Sequence, residues 1–211
     1  MLTAVLLALC PQAATPAIGL VPAGDPEVTA ALAAGARRAL AEAAAEGGPA
    51  LRLLVAPAPG PWSSTAAAAV ELAGRPGVLA LISPPEPAAA HAAAQAATRT
   101  GVPLLCTSPA ASVYAAGSVW VRGVVPVDTG RSRDGSAARL VDPPPPPPGG
   151  WEAAGFDAAR AVLAALERGA RRPREVLAEL ARGPIPGCRG WFRFDRLGRR
   201  LAVHGGEDEL P

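Results

Sequence analysis

Residues 78–107 read VLALISPPEPAAAHAAAQAATRTGVPLLCT and contain the repeating unit of the fold. Val78 to Ile82 is a continuous apolar run, which is typical of a strand that is buried on both faces. Ala88 to Thr100 is rich in alanine and long enough for a helix, and Pro103 to Thr107 is a second short apolar run. This order predicts a crossover unit in which the two strands are parallel.

The same alternation continues along the chain on both sides of this unit. Asp25 and Pro26 mark a helix start, because an Asp side chain accepts a bond from a free amide and proline has no amide to leave unpaired. Gly47, Gly48 and Pro49 end that helix. The later predicted helices are Thr65–Ala73, Ala88–Thr100, Trp151–Gly169 and Pro173–Arg182. The predicted strands are Ala17–Val21, Leu51–Ala56, Val78–Ile82, Pro103–Thr107 and Ser118–Gly123, with a terminal hairpin of Trp191–Asp195 and Arg199–His204. The pattern predicts an α/β fold with a doubly wound, mostly parallel sheet.

Charge and hydropathy exclude two classes of partner. The 211 residues carry a net charge of +2, all 20 basic residues are arginine, and no basic block occurs. This distribution offers no electrostatic footprint for nucleic acid. No stretch reaches the roughly 20 apolar residues of a spanning helix, so the chain is not expected to cross a membrane.

The start of the chain has two open interpretations. Residues 1–16 are mostly apolar and include small residues after Cys10, but they contain no positive charge. They are either an export leader or an extension before the first strand. Three cysteines are too few for a disulfide framework. Without Cys10, Cys106 and Cys188 could pair, although small buried apolar roles are favoured for both.

A proline-rich segment divides the chain. Residues 129–150 lose apolar periodicity and include six consecutive prolines, 143–148. They form either a semi-rigid polyproline spacer or an unstructured low-complexity insert. We expect residues 17–128 to form the first part of one domain, and the helices and hairpin of residues 151–211 to complete it.

Five short motifs occur in a fixed order on either side of that segment. They are the Gly-containing strand Ile18–Val21, the pair Gly47 and Gly48, the set Arg122, Pro126 and Asp128, the run Gly155–Ala158, and the closing set Gly187, Gly190, Phe194, Asp195 and Gly198. In this order they resemble the type I periplasmic binding proteins, the branched-chain amino-acid receptors of ABC importers. The resemblance implies a single Rossmann-like lobe in which residues 129–150 replace the second lobe.

The candidate site follows from the sheet and from the resemblance. Ligands of open parallel sheets bind outside the carboxyl ends of the strands. This rule selects the loops Pro22–Asp25, Ala56–Ser64, Ser83–Pro87 and Ser108–Ser112. The resemblance implies that the last two hold an amino acid, with contacts from the Ala110 backbone and the Ser112 hydroxyl. The candidate ligand-binding residues are Ser83, Glu86, Ser108, Ala110, Ser112 and Tyr114.

One of these loops departs from the family pattern. Pro84, Pro85 and Pro87 remove backbone donors, and Glu86 places a negative charge where a ligand carboxylate would approach. The favoured interpretation is that Pro87 begins a helix and Glu86 complements its dipole. The alternative is that Glu86 receives a cationic or hydroxylated ligand. Trp62 and Tyr114 either stack on a ligand or cover core edges.

Enzymatic and metal-dependent functions lack their sequence signatures. The chain has no Gly-x-Ser-x-Gly elbow, no phosphate loop, since lysine is absent, and no Gly-x-Gly-x-x-Gly fingerprint. His91 is expected on a helix surface and His204 in solvent beside the acidic residues 207–209. The scattered His and Cys residues form no metal set. We therefore predict no enzyme, no cofactor and no metal, and a hydrolase that uses Ser108 or Cys106 is a remote alternative.

The resemblance implies a substrate-binding-protein-like domain with weak or lost ligand affinity. Its expected partners are a small solute such as an amino acid, and either an ABC permease or a second copy. The expected location is periplasmic or extracytoplasmic, with the cytoplasm left open. The alternative is a non-transport interaction or sensory domain that uses the exposed lobe face.

Overall fold

A five-stranded parallel sheet is the centre of the molecule. The computed structural model of the protein describes residues 14–58, 64–127 and 149–203. The strands are β1 (Ala17–Leu20), β2 (Arg52–Val55), β3 (Val78–Ile82), β4 (Leu104–Cys106) and β5 (Val121–Gly123). Their order is β2-β1-β3-β4-β5, and every neighbouring pair is parallel. The predicted parallel sheet is confirmed, although most of its strands are shorter at the ends than predicted.

Helices cover both faces of this sheet. They are α1 (Pro26–Ala45), α2 (Thr65–Ala73), α3 (Pro87–Thr100), α4 (Ala111–Ala115), α5 (Gly150–Glu167) and α6 (Pro173–Leu180). Ile18 and Ile82 of the sheet lie in one core cluster with residues of α1, α5 and α6. Ala17 and Leu81 lie in the other with residues of α2, α3 and α4. The sheet is therefore doubly wound, as predicted.

Two short elements were not predicted. Helix α4 occupies part of what was expected to be a loop, because five residues are too few to show a helical period. Strand β6 (Ile185–Gly187) precedes the terminal hairpin, and Pro186 at its centre argued against a strand. With β7 (Gly190–Phe194) and β8 (Arg200–Ala202) it forms a second, antiparallel sheet. The hairpin itself was predicted, with longer strands.

Local signals at one helix start acted as expected. Asp25 precedes α1 in an extended conformation, and its Oδ1 accepts the Glu27 N–H at 2.8 Å. Pro26 is the first helical residue. The cysteines follow the prediction only in part. Cys106 is a free, fully buried thiol, whereas Cys188 is free but exposed, because it lies in the turn before β7.

Several predictions concern residues outside the described ranges. These are Cys10 and the leader up to residue 13, Trp62, the proline-rich segment together with Asp128, and His204 with the acidic tail.

Helices α1 and α5 touch through their backbones. A Cβ atom on Gly35 would overlap the carbonyl oxygen of Glu152, and a Cβ atom on Gly155 would overlap that of Leu32. Arg38 reinforces the contact, because its Nη1 lies 3.1 Å from Glu152 Oε1 and its guanidinium lies 4.6 Å from the Phe156 ring centroid. The closing part of the chain thus returns to the first part through a contact that only glycine permits.

We expect Gly155→Ala to lower the free energy of unfolding by about 2 kcal/mol. Overpacking against the Leu32 carbonyl costs about 3 kcal/mol, and the better helix propensity of alanine returns about 1 kcal/mol. Urea unfolding followed by circular dichroism measures the difference. Gly74→Ala is the control, since a Cβ there meets its nearest atom, Val70 O, at 3.5 Å. Equal stability of the two variants would contradict the backbone contact.

The terminal hairpin is fastened to the sheet by one buried ion pair and one backbone bond. The Arg200 guanidinium pairs with Asp157 of α5 and donates from Nη1 to Val124 O at 2.6 Å. The other Asp157 oxygen, Oδ1, accepts the Cys188 N–H at 2.7 Å. Gly123 N–H donates to Gly198 O at 2.7 Å. These bonds join the end of β5, α5 and the hairpin into one unit.

Candidate functional site

The loops after β1 and β3 meet at the carboxyl edge of the sheet. Gly24 N–H donates to Glu86 Oε1 at 3.1 Å, across 62 residues of sequence. The loop after β2 is described only at residues 56–58 and at Ser64. The site predicted from topology is therefore built from named loops at one edge, with Glu86 between two of them.

Ser83 is committed to the protein itself. It is fully buried, and its Oγ donates to Pro84 O at 2.9 Å and accepts the Thr107 N–H at 3.0 Å. The Thr107 hydroxyl in turn donates to Ser83 O at 2.9 Å. These bonds close the ends of β3 and β4 against each other. The Ser83 hydroxyl has its donor and an acceptor position occupied without a ligand.

Ser108 and Ala110 also bond to their surroundings. Ser108 is fully buried, and its Oγ accepts the Ala110 N–H at 3.4 Å. The Ala110 carbonyl accepts the Val113 N–H at 3.1 Å. The amide that the resemblance assigns to a ligand therefore turns towards the side chain of Ser108. This loop is ordered by its own bonds into the start of α4.

Tyr114 lies under this loop and belongs to the core. Its hydroxyl donates to Ser108 O at 2.9 Å, and a Cβ on Gly123 would lie 2.6 Å from that hydroxyl. Burial, with a further contribution from Cys106, raises the pKa of Tyr114 well above its usual value. Burial likewise raises the pKa of the Cys106 thiol. Both groups are protonated at neutral pH, so Cys106 lacks the thiolate that a nucleophile requires.

Ser112 and Glu86 are the two candidates that reach the surface. Ser112 is exposed on α4, and its Oγ lies 3.2 Å from His91 Nε2 of α3. His91 thus lies on the α3 surface, as predicted, and links the two helices. Glu86 precedes Pro87, which is the first residue of α3, as predicted.

The electrostatics of the edge oppose an anionic ligand. Glu86 makes no side-chain cap bond to α3, and its Oε2 is buried without a partner among the described residues. Pro84 and Pro85 offer no amide hydrogens, and Asp25 adds a second carboxylate next to Gly24. An amino-acid carboxylate approaching the start of α3 meets negative charge where donors would be needed.

Sequence reasoning located the loops but not the inward commitment of their side chains. It also missed Arg200, whose pairing with Asp157 crosses 43 residues of sequence. The only sequence signal was the pairing of an arginine in a terminal strand with the buried Asp of a quoted motif, and no local pattern links the two.

We expect Ser83→Ala to lower the free energy of unfolding by about 1 to 3 kcal/mol, because the buried Thr107 N–H loses its acceptor. Ser112→Ala removes an exposed hydroxyl of the same predicted site and should change stability by no more than about 0.5 kcal/mol. Urea unfolding of both variants gives the comparison. A Ser83→Ala protein as stable as the Ser112→Ala protein would show that the bond to Thr107 contributes nothing.

The described residues carry two further negative findings. None of their helices is both long and apolar enough to cross a membrane. No group of three or more His, Cys, Asp or Glu side chains in the same part of the chain is arranged to hold a metal ion.

The sequence matches no protein-family model and no curated protein. Solved structures do match the fold. An ABC transporter substrate-binding protein from Desulfitobacterium hafniense, in complex with leucine, has a TM-score of 0.66 at 15% identity, with 88% of this chain and 94% of that chain covered. A leucine-binding protein from Thermotoga maritima has a TM-score of 0.65 at 14% identity, covering 88% and 92%. An ABC transporter protein from Rhodopseudomonas palustris has a TM-score of 0.65 at 12% identity, covering 92% and 97%.

These likenesses establish the fold. The chain has the α/β fold of the type I periplasmic binding proteins, in the form of a single lobe with one five-stranded parallel sheet. The resemblance inferred from the five motifs is confirmed at this level. At 12 to 15% identity the likeness concerns the fold alone.

Proposed function

We propose that the protein is a substrate-binding-protein-like module with weak or lost affinity for amino acids. The observation that carries the proposal is the inward bonding of the site loops. Ser83, Ser108 and the Ala110 amide bond within the protein, and Glu86 occupies the start of α3. A fold shared with leucine-binding structures is thus combined with an edge that offers few free donors.

The length of the chain after β5 supports the same conclusion. Only residues 128–148 separate the end of the first part from α5, whereas an independent lobe needs about 100 residues. A well-formed site buries 70 to 90% of a small ligand, which one face seldom achieves. We infer a dissociation constant no lower than about 1 mM, equivalent to about −4 kcal/mol.

The proposal extends to the setting of the protein. A binding module of this kind would act outside the cytoplasm and present its bound solute to an ABC permease. Adjacent genes for a permease and an ATPase would support this role.

Isothermal titration of the purified protein with leucine, isoleucine or valine should give no heat of binding at micromolar concentrations. The reason is the one-sided site and the negative charge of Glu86. The leucine-binding protein from Thermotoga maritima, titrated with leucine in the same buffer, is the positive control. A micromolar dissociation constant for any of the three amino acids would refute weak or lost affinity.

A second candidate function rests on exposed apolar side chains. Trp191 of β7 and Leu201 of β8 are each 40% exposed. Arg193 pairs with Leu201 across the hairpin, so Trp191, Arg193 and Leu201 share its outer face. Clustered exposed apolar groups often mark protein contacts. This face favours an interaction module that binds a second copy or another protein.

The interaction function predicts concentration-dependent self-association in sedimentation velocity. Trp191→Ser should then weaken the association by about tenfold or more, since a buried aromatic anchor contributes at least 1.4 kcal/mol at many interfaces. Val70→Ser is the control, because Val70 is 43% exposed on α2, away from the hairpin. A protein that remains monomeric at all concentrations would remove the self-association function.

A further inference from the structure

A cavity of about 270 Å³ opens beyond the carboxyl end of β5, between α5 and β8. None of the six candidate site residues lines it. Its walls include Val124, Val125 and Pro126 after β5 and Ala153 and Ala154 of α5. We propose that this cavity binds a small monocarboxylate with a short apolar chain.

The apolar walls leave space because their side chains are small. Ala153 and Ala154 face the residues after β5, and Ala202 of β8 closes a third side. Larger residues at these positions would fill the volume. A volume just below the 300 to 1,000 Å³ range of typical ligand pockets suits a ligand of only a few carbons. Removing such a chain from water supplies the apolar part of the affinity.

The charged groups of the lining favour an anion. Asp157, Arg189 and Arg200 all border the cavity. Asp157 is neutralised already, since Oδ1 accepts the Cys188 N–H and Oδ2 pairs with Arg200. Arg189 forms no ion pair with any carboxylate in the described ranges. One positive charge at the cavity is therefore left uncompensated.

Arg200 is fixed in place beside this charge. Its Nη1 bonds to Val124 O, and its guanidinium lies 4.1 Å from the centroid of the Phe192 ring. A guanidinium held by such contacts loses little freedom when it meets a ligand. Its planar fork matches a carboxylate, which can take two parallel bonds.

The same features disfavour other ligands. An amine would face the uncompensated Arg189 charge. A phosphate dianion would have to give up its water against walls that are mainly alanine, valine and proline, and desolvation of a doubly charged group is costly. A neutral alcohol fits the walls but gains no charge-assisted bond. A monocarboxylate satisfies both the walls and the charge.

Titration of the ¹⁵N-labelled full chain with pentanoate, followed by NMR, tests the proposal. We expect saturable shifts around Ala153, Ala154 and Ala202 with a dissociation constant of about 1 mM. Pentan-1-ol, which has the same carbon chain, should bind about tenfold more weakly, since a bond between charged groups is worth at least about one factor of ten. Sodium phosphate should give no saturable shifts at these residues.

Two variants and a control separate the cavity from the protein surface. Arg189→Gln should weaken pentanoate binding about tenfold. Arg193→Gln, an equally exposed arginine of the same hairpin outside the cavity, should leave binding unchanged. Ala202→Leu should abolish binding by filling the space, and because Ala202 is exposed the fold should be retained, which the NMR spectrum shows directly.

Each contrary result overturns the proposal. Absence of saturation by pentanoate at 50 times the expected constant removes the site. Equal binding of pentanol removes the role of charge, and equal binding of phosphate shows only surface attraction of anions. Unchanged affinity in Arg189→Gln, or in a folded Ala202→Leu protein, removes the assigned residues. The test involves none of the edge loops, so its outcome is independent of the proposed function.

Discussion

The contact between the backbones of α1 and α5 is the constraint on which the rest of the molecule depends. The chain leaves the sheet after β5, and it must return to cover the face that contains Ile18 and Ile82. Gly35 and Gly155 allow the two helices to approach until each backbone meets the other. Because α5 supplies much of this core cluster, a wider spacing would leave apolar surface of the sheet exposed to water.

Once α5 is in place, it positions the end of the chain. Asp157 faces the hairpin and accepts the Cys188 amide, and Arg200 completes the pair. Burying two charges is costly unless their remaining bonding positions are filled, and here the Val124 carbonyl and the Phe192 ring take part. A Cβ on Gly198 would overlap the Val121 carbonyl, so the hairpin turn can approach β5 only as glycine. The motifs around these residues are therefore requirements of the fold.

Sequence reasoning reached the fold because its signals are local. Apolar runs such as Val78–Ile82 and the cap of Asp25 act within a few residues, and both were predicted correctly. The site was harder to predict, because the direction of a hydroxyl depends on what lies beneath it. Ser83 bonds to Thr107 and Tyr114 to Ser108, and no spacing in the sequence announces either bond. The pairing of Asp157 with Arg200 also escaped, since it joins distant segments.

The same bonds explain how a lobe can keep its shape while it loses free donors at its edge. In an open parallel sheet, the groups after the strands either bond to a ligand or must find partners within the protein, because buried polar groups left unpaired cost about 1 to 3 kcal/mol each. Here Ser83 and Ala110 take the second course. Their bonds stabilise the ends of β3 and β4 whether or not a solute is present. A ligand would have to replace bonds that already exist, so its net gain at this edge is small.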